Sequence, residues 1–322
     1  MQSFAVQVVH DDSLFSEFKR KERAERIAGL PEAYHGPLDT LDREILEAPV
    51  SVIVENVHSG KWTPARVLLS YGRKALKAHA ATNCLTEVMI SSADVWAGNV
   101  DINGPLAGMP VSMKDTVGVT GFDSCIGYSA WTKKPFKKDA ALVRLLKDAG
   151  AIPFVKTNVP ITLLSFESSS DVWGTTTNPY SSAFSPGGST GGEAALLAYG
   201  GSRLGIGTDV AGSVRIPAHY SGIYTIRASM NRFLKSGNAT SMPGQEGVPA
   251  VYSPMTRTLE DLETFWKAIF KMKPWTYDHS VKYNSSCLRR LLTSHCKVLH
   301  LPWRDVHLPE KVKFGVLWED GP

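Results

Sequence analysis

The chain has 322 residues, of which 43% are hydrophobic and 20% charged, and a net charge of +4. That is the composition of a folded globular protein with room for one large domain or two ordinary ones, and it excludes a disordered chain. Apart from the short runs Lys19-Arg20-Lys21 and Lys133 to Lys138, the basic residues are scattered, so no nucleic-acid partner is expected. No apolar run is long enough to span a bilayer. Met1 to His10 carries neither a basic n-region nor a cleavage pattern. Four cysteines (Cys84, Cys125, Cys287, Cys296) are too few and too dispersed for a disulfide framework, so the expected compartment is the cytoplasm.

Residues 13–48 are polar, with helical stretches at Leu14 to Ile27 and Leu41 to Leu46. Residues 50–98 read as two or three helices. In one of them Val67, Leu68, Tyr71, Ala75 and Leu76 follow the 3.6-residue period, after Thr63-Pro64 as N-cap and first-turn proline. Residues 1–98 are therefore expected to form a helical layer over a sheet. From Gly108 the texture alternates. Met109 to Met113 reads as a strand ending at Lys114-Asp115. Asp139 to Ala149 is an amphipathic helix with Leu142, Val143, Leu145 and Leu146 inward and Gly150 closing it. Ala151 to Val155 is the next strand. This β-α-β alternation predicts an α/β fold with a mixed central sheet flanked by helices, its core at 99–280. A polar, Gly- and Pro-rich loop, Ser165 to Gly191, precedes a helix at Gly192 to Tyr199 and a strand at Arg203 to Gly207; loops of that length are usually functional.

Two segments carry chemistry: Ser185-Pro-Gly-Gly-Ser-Thr-Gly-Gly-Glu and Gly207-Thr-Asp-Val-Ala-Gly-Ser-Val-Arg-Ile-Pro. Glycines let several backbone N–H groups converge on one oxygen, as the oxyanion of amide cleavage requires. The turn Val210-Ala211-Gly212-Ser213 offers such donors around a hydroxyl that could attack. A serine needs a base. The one nearby histidine, His219, is expected to be structural. Lys114 is the better candidate, because burial at a strand end lowers an ammonium pKa, though on that ground alone a surface lysine at a strand end is the favoured reading. Gly187 to Gly191 formally fits a G-x-S-x-G elbow, but turn-formers precede it where a buried strand is needed. Gly201 to Gly207 resembles a dehydrogenase glycine turn, yet no Tyr-x-x-x-Lys accompanies it. A zinc set of Cys287, His295, Cys296 and His300 fits no standard spacing. No cofactor or metal is expected.

Gly187-Gly-Ser-Thr-Gly-Gly-Glu followed by Gly205-Ile-Gly-Thr-Asp-Val-Ala-Gly-Ser-Val-Arg-Ile-Pro-Ala resembles the amidase signature family. The resemblance extends through Gly104 to Asp115, Gly150 to Pro160 and Tyr252 to Leu262, and is closest in style to fungal acetamidases and fatty-acid amide hydrolases. It implies a Ser–cis-Ser–Lys triad in which Lys114 is the base, Ser189 the bridge and Ser213 the nucleophile. Val210 to Ser213 would hold the oxyanion and Leu163 would lend backbone to the substrate pocket. Thr190 stands where a second serine is common, and Ala211 where a glycine is frequent. The implied activity is cofactor-independent hydrolysis of a small-molecule amide through an acyl-enzyme, with a homodimer left open.

The same resemblance implies a second half beyond Val312 to Pro322, so the chain is expected to be truncated. Residues 281–322 then comprise a stretch at 282–300 without family counterpart, expected to be translated non-coding sequence, and the start of that half. The other reading is a catalytically inactive truncated homologue acting as a binding or relic protein.

Overall fold

The computed structural model describes residues 12–229, 233–245, 247–278 and 311. The stretch 282–300 and the Cys287, His295, Cys296 and His300 set lie outside the described residues. Short local signals set the first helices. α1 (Asp12–Ala28) leads to the single turn α2 (Glu32–His35) and to α3 (Thr40–Glu47), where Asp39 and Asp42 close a reciprocal capping box. α4 (Val50–His58) follows Pro49, and α5 (Pro64–Thr82) opens with Thr63 Oγ1 accepting the Arg66 N–H at 3.2 Å. Val67, Leu68, Tyr71 and Ala75 are buried on α5, the face its apolar period marks.

Between α5 and α6 (Ile90–Ala97) the chain inserts a strand, β1 (Leu85–Val88), in a region expected to be helical. Its Glu87 is buried because α1 supplies the counter-charges: Lys19 Nζ donates to one carboxylate oxygen at 2.6 Å and Arg26 to the other. β2 (Pro110–Lys114), α7 (Ala141–Asp148) and β3 (Ile152–Thr157) form the anticipated β-α-β unit. α7 buries Leu142, Val143, Leu145 and Leu146, and Gly150 follows at φ 85°. The long loop after β3 carries a small hairpin, β4 (Ser169–Ser170) with β5 (Gly174–Thr175). Then come α8 (Gly191–Tyr199), β6 (Leu204–Asp209), α9 (Arg215–Ser221), β7 (Tyr224–Thr225), β8 (Val251–Thr256) and α10 (Leu259–Lys271).

The main sheet has the order β1-β3-β2-β6-β8-β7. β2 lies between β3 and β6 and is parallel to both, whereas β1, β8 and β7 pair antiparallel with their neighbours. The fold is α/β, with a mixed central sheet flanked by helices. One apolar cluster joins helices and sheet, drawing on Tyr71, Leu106, Met113, Phe154, Leu196 and Phe265. The arrangement sets the carboxyl ends of three adjacent parallel strands side by side, at Thr157, Lys114 and Asp209. Open α/β sheets bind ligands at this kind of edge. Among the described residues, no helix is long and apolar enough to cross a membrane.

Candidate active site

β2 is buried along its whole length, and its last residue, Lys114, has no exposed surface. Lys114 Nζ donates to Ser189 Oγ at 2.7 Å, to Thr190 Oγ1 at 2.9 Å and to the Thr208 carbonyl oxygen at 3.3 Å. Burial pushes the ammonium down from 10.5 to about 7, and Asp209 opposes the fall through its charge. The alternative of a surface lysine at a strand end therefore does not apply. An amine held by two hydroxyls and a carbonyl, and neutral in part near pH 7, is equipped to exchange a proton with a neighbouring hydroxyl.

Ser189 reaches the lysine from the segment just before α8. Its peptide bond with Gly188 is cis. The loop behind it presses close: a Cβ on Gly188 would stand 2.3 Å from the Ser165 carbonyl oxygen, so only glycine fits. Ser168 laces the two stretches together, its Oγ accepting the Gly191 N–H at 3.0 Å and donating to the Gly187 carbonyl at 3.1 Å. Ser189 thus follows a loop and turns inward, 1% exposed, against Lys114. A nucleophile elbow needs an exposed hydroxyl at the end of a strand. The dehydrogenase-like glycines fare no better, since Gly205 and Gly207 lie inside β6.

β6 delivers the third element. Its last residue, Asp209, folds the following turn around its own carboxylate. Oδ1 accepts the Gly212 N–H at 2.8 Å, Oδ2 accepts the Val214 N–H at 3.1 Å, and Arg215 donates to both oxygens at 3.0 and 3.1 Å. Burial by itself would raise this carboxyl, but the hydrogen bonds from Arg215, Gly212 and Val214 outweigh it and hold the group below the usual aspartate range. Gly212 sits at φ 128°, a conformation left to glycine. The Gly212 N–H, expected to face a substrate oxygen, is instead engaged by Asp209. The Thr190 N–H donates to the Ser213 carbonyl at 3.1 Å and joins the two serine segments directly.

Ser189 and Ser213 share the wall of a cavity of about 250 Å3 with Leu163, Val210 and Ala211. Leu164, Phe166, Met242 and Ala250 give the same cavity an apolar lining, and Thr162, Asn238, Thr240 and Ser241 are among the polar residues that also line it. His219 lies exposed on α9 and is not part of this lining. Sequence reasoning passed over Asp209 and Arg215, although an aspartate three positions before a glycine is a recognisable side-chain-to-backbone turn signal. Phe166 and Met242 carried no signal, because separate loops bring them to the cavity.

Comparison with known proteins fits this geometry. The amidase family model matches residues 66–322. An acetamidase of Emericella nidulans is 34% identical over 293 residues, covering 88% of this chain and 50% of the relative. Fatty-acid amide hydrolase 1 of Sus scrofa is 42% identical over 230 residues, covering 71% of this chain and 40% of that protein. A solved structure of a fatty acid amide hydrolase superposes with a TM-score of 0.80 at 28% identity, over 92% of this chain and 54% of the other. The chain thus spans about half the length of the curated relatives it matches. It belongs to the amidase family.

Proposed function

We propose that the chain carries the catalytic centre of a serine amidase that hydrolyses carboxylic acid amides, with Ser213 as nucleophile, Ser189 as proton relay and Lys114 as base. The observation that carries this reading is the buried Lys114 amine, 2.7 Å from Ser189 Oγ, with its pKa brought down to about 7. The Thr208 carbonyl can only accept, so it fixes one Lys114 N–H. The neutral amine then keeps a lone pair for the Ser189 hydroxyl proton. Ser189 in turn takes the proton of Ser213 as Ser213 Oγ bonds to the amide carbon. The N–H groups of Val210, Ala211 and Ser213 are the donors this reading assigns to the oxyanion. As the C–N bond breaks, the proton returns through Ser189 to the leaving amine, and water then hydrolyses the acyl-enzyme to the acid. No metal or cofactor enters these steps. Leu163 and the apolar wall would hold the acyl part of the substrate.

The test is labelling of the whole chain with a fluorophosphonate, which phosphonylates an activated serine with loss of fluoride. The adduct is expected on Ser213 and is expected to vanish in Ser213→Ala. An adduct that survives that substitution, or none on the native chain, overturns the assignment.

A further inference from the structure

The wall of the cavity that Ser213 lines contains a segment that its own sequence does not favour. In residues 160–164 the Leu163 N–H closes a turn on the Pro160 carbonyl at 3.1 Å. Within it Thr162 stands at φ 65°, ψ −8°, and Leu163 at φ 65°. Neither is glycine, and a β-branched residue in the left-handed region is an outlier that persists only when its surroundings hold it there. From below, Leu163 packs on the small cluster of Ile126, Val159 and Ala239. From the neighbouring loop, Ser241 Oγ donates to the Thr162 carbonyl at 2.8 Å.

Ser241 is itself fixed in place. The Met242 N–H donates to Thr240 Oγ1 at 3.2 Å and braces the turn that presents the serine. The Ala239 N–H donates to the Thr116 carbonyl at 2.7 Å, and the Gly118 N–H to the Gly237 carbonyl at 3.0 Å. The loop therefore hangs from the chain that leaves β2 just past Lys114, and the Ser241 hydroxyl carries that fixed position over to the wall.

From this geometry we infer that Ser241 is a positioning residue: its hydroxyl clasps the wall at Thr162 and keeps Leu163 and Leu164 where a long apolar acyl chain must lie. The inference rests on the reading of Ser213 as the nucleophile. Ser241 is not among the hydrogen-bond partners of Lys114 or Ser189. Loss of the clasp should leave the reactivity of Ser213 alone and weaken only the hold on substituents that reach the wall.

The experiment compares the second-order labelling rates of a methyl- and an octyl-substituted fluorophosphonate on the native chain, Ser241→Ala and Ser241→Thr. Ser241→Ala is expected to lower the octyl rate about three- to tenfold, the worth of one hydrogen bond. The methyl rate should stay unchanged, and Ser241→Thr, which retains the hydroxyl, should keep the octyl rate. An octyl rate untouched in Ser241→Ala overturns the proposal, as does a parallel fall of both probes, which would mark a general structural role. Failure of both probes to label native Ser213 removes the serine-amidase reading, and this proposal with it.

Discussion

At the scale of single residues, the decisive contrast is between two lysines of similar burial. Lys19 and Lys114 are both almost wholly out of solvent, yet Lys19 meets Glu22, Glu87 and Asp123, while Lys114 meets hydroxyls and a carbonyl. Carboxylates in direct contact keep the first an ammonium; the second has only the more distant charge of Asp209 against it, and burial drives it toward the neutral amine. A neutral base must accept the proton, so kcat/KM for amide hydrolysis is expected to rise with pH through a midpoint near 7, set by Lys114. Lys114→Ala should lower kcat/KM by about 10²–10⁴-fold and abolish that rise. A pH–rate profile that keeps its midpoint in the variant would assign the titration to another group.

At the scale of elements, the junction of α8 with β2 and β3 holds a carboxyl that sits among hydroxyls. Glu193, in the first turn of α8, receives hydrogen bonds from Ser112 of β2 and from Thr157 of β3, the latter at 2.8 Å. Burial raises it from 4.5 to about 7, and those two donors offset only part of the rise. Because the folded value lies above the unfolded one, its contribution to stability is complete below pH 4.5 and is lost as pH rises through about 7. Glu193→Gln stays neutral at every pH, so its melting temperature should overtake that of the native protein between pH 5 and 8. Parallel melting curves across that range would show a carboxylate already ionised at the junction.

The same elements show what a sequence can and cannot disclose. The cap at Thr63, the inward face of α7 and the run from Met109 to Lys114 were legible, because each depends on residues within a turn or two of one another. β1 was not. Leu85-Thr-Glu-Val has a charged residue where a buried strand should have an apolar one, and its direct partners Lys19 and Arg26, distant in sequence, make its burial tolerable. The glycine-rich segments around Ser189 and Ser213 could be singled out by residue type, whereas Lys114 took its role from the family resemblance; the structure brings Lys114 and Ser189 into direct contact and places both serines on one cavity. The cavity's other wall stayed hidden, since Leu164, Phe166 and Met242 come from loops with no period to read.

At the scale of the whole molecule, the first helix is bolted to the far edge of the sheet. Glu87 on β1 binds Lys19 and Arg26 of α1, and Lys19 also reaches Asp123 at 3.0 Å on the chain after β2. Glu87→Ala leaves Lys19 with part of its partners, so a loss near the lower end for a broken buried pair, about 3 kcal/mol, is expected. Urea unfolding should show it as a lower midpoint with an unchanged slope. A loss below about 1 kcal/mol would mean that Asp123 and Glu22 suffice to hold Lys19.

The position of Lys114 at the inner end of β2 has one more consequence. Its partners Ser189 and Thr208 are 75 and 94 residues away along the chain. Before β6 docks beside β2, the lysine is an ordinary hydrated ammonium and the serines are inert alcohols. A chain emerging into a crowd of other proteins, whose backbones are themselves amides, thus carries no reactive group while its binding surfaces are still unformed. On the proposed reading, Lys114 gains its role as base only when β6 pairs with β2.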